Sequence, residues 1–280
     1  GKGISPSTLT NYLYNPIAFY KQKILKINEL DAIEETVAIK TMGTVVHETL
    51  DELYMPYIGK FLSVNNISLM QKKATNLVEK HFTIWFKNGD LSTGKNRLIY
   101  EVANRFVSNF LAKEKTLLKD ENNQLKIIAT EQNLAAKINV DGINFPIKIH
   151  GQVDRIDELN GVTRIIDYKT GMVSETNLKV TDFETIKDLK YHKAIQVLLY
   201  AYLYTQDTNY NFSKPLEAGI ISFKNLKSGF LSMNFSEKRG GKENTITQEI
   251  LKDFIDEIKI ILIEMYNPTV NFVEPTDLPY

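Results

Sequence analysis

Asn160-Gly161 lies between the runs VDRIDEL and VTRIIDYKT, and few dipeptides restrict a backbone more tightly. A two-residue type I′ turn needs positive φ at both central positions, which Asn-Gly adopts at little steric cost. The flanking runs mix β-branched residues with charges, as half-buried strands do. Residues 151–171 are therefore expected to form a hairpin, with Asp154 on its first strand and Asp167 and Lys169 on its second. Side-chain alternation puts Asp167 and Lys169 on one face, with Ile165 below them. Arg155 and Asp157 fall on the face opposite Asp154, where a structural ion pair is expected. Two carboxylates and an ammonium on neighbouring strands suit a divalent metal and an activated water. The competing explanation is a solvated charged ladder, and other parts of the chain must decide.

Upstream of the hairpin the periodicity is helical. Ser5-Pro6 caps a first helix carrying Leu9, Tyr12 and Leu13. Asn15-Pro16 breaks it, and Ile17, Phe19 and Tyr20 begin a second, short one. Further helices are expected over 41–57, 68–87 and 97–119, with a loop at 88–94. His47 sits beside the apolar stripe of the first of these, near Gly43 and Asp51, and His81 reads as a packed core histidine. From about Leu125 the period changes to that of strands, over 126–131, 134–140 and, after Asp141-Gly142, 143–149. Beyond the hairpin, 182–190 reads as a short helix and 191–205 as a longer one. Residues 216–223 read as a strand buried at the centre of a sheet. Residues 237–244 read as a mobile polar loop, and 246–266 as a closing helix ended by Asn267-Pro268. The order implies an α/β chain whose helical front half (1–120) is a lid or insertion on a catalytic sheet (121–280).

Composition removes several classes of function. The 34 basic and 34 acidic residues cancel, which gives no sign of a protein that coats DNA by bulk charge. The chain has no cysteine, so thiol catalysis, thiolate zinc and an iron–sulfur cluster held by these residues alone are excluded. There is no phosphate-binding G-x-x-x-x-G-K loop, no G-x-S-x-G and no H-E-x-x-H. No apolar run is long enough to span a bilayer and no signal peptide is read, so a cytoplasmic location and no membrane partner are expected. The start Gly1-Lys2-Gly3 lacks methionine, and excision from a larger protein is expected.

What remains is an acidic site. Asp154 and Asp167 are hard oxygen ligands of the kind Mg²⁺ takes alongside water and substrate phosphate. Lys169, two residues from Asp167, can stabilise charge developing on a phosphate. On the helix over 191–205, Gln196 and Tyr200 are four apart and share a face with Lys193. A semi-buried amide among Ile195, Val197, Leu198 and Leu199 needs partners.

These residues carry a resemblance to the RecB-like and AddB-like branch of the PD-(D/E)XK nucleases, in the same order along most of the chain. ISPSTLTNYLYNPIAFY resembles that branch's N-terminal segment, MGTVVHETL its G-x-x-x-H helix, GQVDRID and IIDYKTG its two catalytic strands, and QVLLY its Q-x-x-x-Y helix. The resemblance implies a restriction-endonuclease-like αβββαβ core in a single domain. It implies His47, Asp154, Asp167 and the Tyr168 carbonyl as metal ligands, Lys169 as the catalytic lysine, and Gln196 and Tyr200 near the DNA, with Lys193 beside them. It further implies Mg²⁺ or Mn²⁺, DNA as substrate, exonuclease-type hydrolysis and a helicase domain or subunit as partner in double-strand break repair. The sequence departs from the family name's proline, since Val153 precedes Asp154. It also lacks the four cysteines that hold an iron–sulfur cluster in many AddB-like relatives: Asn15 stands where the first would be, and none follows the last helix. No cluster is expected. Rival readings are a non-catalytic DNA-binding scaffold of a repair complex and a stand-alone CRISPR-associated RecB-like exonuclease. Glu131 lies either beside the metal site or in a pair with a basic residue, and pairing is the expectation.

Overall fold

The computed structural model describes residues 3–27, 39–86, 90–238 and 240–273. Parts of the loops expected at 88–94 and 237–244, the chain start and the tail from 274 lie outside them. Five strands form one sheet in sequential order: β1 (Leu125–Ile138), β2 (Ile147–Leu159), β3 (Val162–Lys169), β4 (Leu216–Ser222) and β5 (Phe230–Ser232). All neighbours are antiparallel except β3 and β4, whose parallel pairing requires a crossover. Helix α6 (His192–Thr208) supplies it. The β2–β3 turn has φ of 54° at Asn160 and 83° at Gly161, the two positive values the dipeptide demands. Asn160 also ties this tip to the start of β1, since its side-chain oxygen accepts the Gln124 N–H at 2.8 Å.

Helices cover both faces. On one side lie α3 (Ile39–Tyr54), α4 (Val64–Trp85) and α5 (Gly94–Leu118), burying Val46, Phe82 and Phe110 with Ile166 and Ile221 of the sheet. On the other lie α6 and α7 (Gln248–Tyr266), with α1 (Pro6–Tyr14) and α2 (Pro16–Phe19) at the edge. They bury Leu198 and Phe254 against Ile165 and Ile220. Consecutive residues such as Ile165 and Ile166 thus serve opposite cores, and Ile220 and Ile221 do the same on β4, which is why GIISF reads as apolar without alternation. The helical front half is thus divided between the two layers, α3–α5 on one face and α1 and α2 at the edge of the other. Ten residues of α6 are buried, as expected of a helix enclosed by sheet, α1 and α7.

Several boundaries differ from the sequence expectation. Helix α4 starts at Val64 because Ser63 and Asn66 cap each other reciprocally, with Asn in place of the usual Glu or Gln. Residues 182–190 form two 3₁₀ turns, Phe183–Lys187 and Leu189–Tyr191, and a π-helical turn, Tyr20–Ile24, follows α2. The two strands expected over 126–140 are one, β1, and the strand expected over 143–149 starts only at Ile147 and runs on through Gly151 into the first hairpin strand. Within these long strands the alternation changes phase. Val153 and Ile156, three apart on β2, share one core, as do Ala129 and Leu134, five apart on β1. Between the latter pair Glu131 adopts a φ of +44°, a left-handed conformation unusual for a residue with a Cβ. A backbone irregularity of this kind re-aims side chains, and here it lies beside Asp154.

Candidate active site

The phase change sets Glu131 on β1 and Asp154 on β2 next to His47 of α3. One ligand atom from each of the three lies within 4.8 Å of the other two, a group able to hold a metal ion. Asp154 is fixed twice: Oδ2 accepts the backbone N–H of Tyr168 at 2.6 Å, and Oδ1 lies 3.3 Å from His47 Nδ1. The β2–β3 pairing ends at Arg155–Ile166, and one step further along this register Asp154 would stand opposite Asp167. Its side chain thus takes a strand N–H just where the regular ladder stops.

The electrostatics follow from crowding. Burial works against the His47 imidazolium, but the Asp154 carboxylate, with Asp167 and Glu131 behind it, raises its pKa from 6.5 to about 9. Glu131 is pushed from 4.5 to about 8 by burial and then by Asp154, with His47 opposing. The three groups that meet here offer donors suited to a cation: two carboxylates as hard ligands and an imidazole that Mn²⁺ accepts.

Asp167 is 2% exposed, and Lys169 takes up its carboxylate at 3.0 and 2.8 Å. Burial raises the Asp167 pKa while Lys169 opposes that rise. The Lys169 ammonium is favoured in turn: burial disfavours its charge, and Asp167 more than restores it. Lys169 lies in an open cleft of about 680 Å³, whose walls include His47, Glu131, Asp154, Gln196 and Tyr200. Tyr168 lines it too. Gln196 donates from Nε2 to the Tyr200 hydroxyl at 2.9 Å, leaving the Tyr200 proton free to point elsewhere. Burial holds the Tyr200 phenol well above its ordinary pKa, so it remains a neutral donor. Gly151 makes room for that ring: a Cβ there would lie 2.6 Å from Tyr200 Cε1.

Most of the residues read from the sequence therefore meet in one place. His47, Asp154, Tyr168, Lys169, Gln196 and Tyr200 share the cleft, and Asp167 stands just behind Lys169. Lys193 does not line it; its ammonium reaches His192 Nε2 at 3.1 Å. Of the two places open to Glu131, the expected pairing with a basic residue is not the one it takes. Among the described residues it forms no ion pair with Lys or Arg and instead joins His47 and Asp154. Its signal was an acid on the strand next to Asp154, at the point where apolar alternation fails.

Arg155 and Asp157 behave as expected. Both are fully buried on the opposite face, where Arg155 meets Asp157 and Glu114 at 2.7 Å each. Arg164 holds Asp157 through two hydrogen bonds of 2.7 and 2.9 Å, and Tyr54 donates to Glu114. Tyr168 joins the two systems, because its ring packs on this face and its hydroxyl lies 3.4 Å from Arg155 Nη1.

No helix among the described residues is long and apolar enough to cross a membrane. Uncharacterized proteins of Rickettsia felis, Rickettsia typhi and Rickettsia conorii are 26%, 26% and 27% identical to this chain over 173, 175 and 172 residues. Each match covers 61% of this chain and only 18–19% of the relative, so the chain spans about a fifth of the length of the curated relatives it matches. The crystal structure of SSO0001 aligns with 91% of this chain and 84% of its own at 14% identity, with a TM-score of 0.25, too low to carry an argument. The profile of the PD-(D/E)XK nuclease superfamily, by contrast, matches residues 3–275, and this chain belongs to that superfamily.

Proposed function

We propose that this chain is a metal-dependent DNA nuclease domain of the RecB-like and AddB-like branch, hydrolysing phosphodiester bonds in an exonuclease mode. The observation that carries the reading is the convergence of His47, Glu131 and Asp154 in the cleft that also holds Lys169. A Mg²⁺ or Mn²⁺ ion bound there would polarise a phosphate oxygen and lower the pKa of a water. Asp154, anchored by the Tyr168 N–H, keeps the donor set in place. Lys169 is held cationic by Asp167, which suits it to stabilise the negative charge gathering on the phosphate oxygens. That charge builds as the water, giving up a proton to solvent, bonds to phosphorus and the sugar oxygen leaves and takes a proton from solvent. Tyr200, its oxygen occupied by Gln196, has its own proton to offer a phosphate oxygen. Asp167 would join the ligands where Lys169 swings toward substrate.

The proposed setting is cytoplasmic, within a helicase–nuclease that processes double-strand breaks, and residues 1–280 would be its single nuclease domain. The resemblance in motif order supports this, as does the greater length of the Rickettsia relatives. The test is hydrolysis of linear single-stranded, linear duplex and circular DNA with Mg²⁺ or Mn²⁺, with Lys169→Ala alongside. We expect cleavage of linear DNA that stops in chelator and falls about 10²–10³-fold in the variant. Equal rates for the two proteins would remove Lys169 from the chemistry.

A further inference from the structure

From the cleft toward its own start, β2 turns Asp154, Gln152, His150 and Lys148 outward in succession. Across the antiparallel register Gln152 faces Asn133, His150 faces Ala135 and Lys148 faces Lys137. The residues between them, Leu134, Ile138, Ile147 and Ile149, are buried. The outward members form one continuous ledge, about 20 Å long at the rise of a strand. Its charge changes along that length, from Asp154 and Glu131 at one end to Lys137 and Lys148 at the other.

The ledge has a wall. Since the β2–β3 pairing ends at Arg155, this part of β2 has a free edge, and Ile4 takes it. Ile4 donates to the Lys148 carbonyl at 2.8 Å and accepts from His150 N–H at 3.0 Å. Alongside runs a groove of about 860 Å³, with Lys23, Lys26 and Tyr266 among its walls. Ser5 and His150 line both this groove and the active-site cleft, so the two adjoin. Tyr266 is 43% exposed and meets the still more open ring of Phe145 edge-on, with centroids 5.8 Å apart.

Lysines that follow a backbone, with open aromatic rings beside them, bind unpaired strands without regard to sequence, because every base has a face to stack. Paired bases in a duplex keep those faces to themselves. Resting on the nuclease reading above, we infer that this ledge and groove are the track of an unpaired DNA strand, with phosphates along Lys148, Lys137, Lys23 and Lys26 and bases against Tyr266 and Phe145. The strand reaches Asp154 from the basic end, where its phosphates gain cations before they meet the acidic centre.

The test reads binding without turnover: fluorescence anisotropy in EDTA, with labelled single strands of about 12 nucleotides and a duplex of equal length. The single strand is expected to bind more tightly than the duplex. Lys137→Ala and Lys148→Ala each lower the slope of log affinity against log salt by about 0.7, and Tyr266→Ala weakens the single strand about tenfold. All three side chains are at least partly exposed, so the fold survives. Unchanged affinity and slope in the variants overturn the track, as does a wild type that prefers duplex or binds neither. Lack of hydrolysis by the wild type with Mg²⁺ or Mn²⁺ would instead count against the nuclease reading, and normal hydrolysis with unaltered variant binding against the track alone.

Discussion

Asp154 is held to the neighbouring strand by the N–H of Tyr168 at 2.6 Å, so the oxygen facing His47 is set by backbone and not by a free rotamer. Asp154→Asn keeps an acceptor for that N–H and removes the charge. We expect a protein that folds normally and binds Mn²⁺ at least tenfold more weakly by calorimetry. Wild-type heats in this variant would exclude Asp154 as a ligand.

The pH dependence of stability without metal has a definite sign. His47 and Glu131 both have raised pKa values in the folded chain, so folding takes up protons. The His47 contribution is complete below its ordinary 6.5 and lost as pH rises through about 9. That of Glu131 is lost between 4.5 and about 8. In EDTA the melting temperature should fall from pH 6 to pH 9 more steeply in wild type than in a His47→Gln/Glu131→Gln double variant. Mn²⁺ affinity should rise over the same range, because the ion displaces those protons. Parallel melting curves would show that the two groups do not titrate as described.

Arg155 is the centre of the buried ion network on the far face. Arg155→Ala strands Glu114 without its guanidinium partner, and removal of one member of such a pair costs about 3–5 kcal/mol. Urea unfolding should show a loss of that order. A loss below about 1 kcal/mol would mean that water reaches the network.

Gly151→Ala tests the packing under the site. The added Cβ would meet the Tyr200 ring 2.6 Å away, forcing that ring and its Gln196 partner to move. Hydrolysis should drop about tenfold or more, since small misplacements weigh heavily on rate, while the melting temperature changes by a few degrees. An unaffected rate would place the Tyr200 hydroxyl outside the reaction.

The elements were legible where local chemistry decides them. Asn160-Gly161 specifies its turn, the Ser5-Pro6 cap begins α1, and the two-sided burial of β4 shows in the apolar residues of GIISF, which do not alternate. Arg155 and Asp157 could be separated from Asp154 by alternation alone. That rule fails where the backbone departs from it. The positive φ at Glu131 has no signature in Thr130-Glu131-Gln132; the ladder runs on in one register across it, from Thr130–Arg155 to Gln132–Val153, and Glu131 itself reaches the cleft. Glu114 was equally hidden, because its partners Tyr54 and Arg155 come from sequence positions 60 and 41 residues away, and helical spacing alone reads it as one more surface acid.

Tyr168 gives the cleft a mechanical neighbour on the reverse side of the sheet. Its amide holds Asp154 while its hydroxyl lies against Arg155, so a single residue spans the two faces. A shift of α5 that pulls Glu114 away from Arg155 would travel through that one peptide unit to the carboxylate in the cleft.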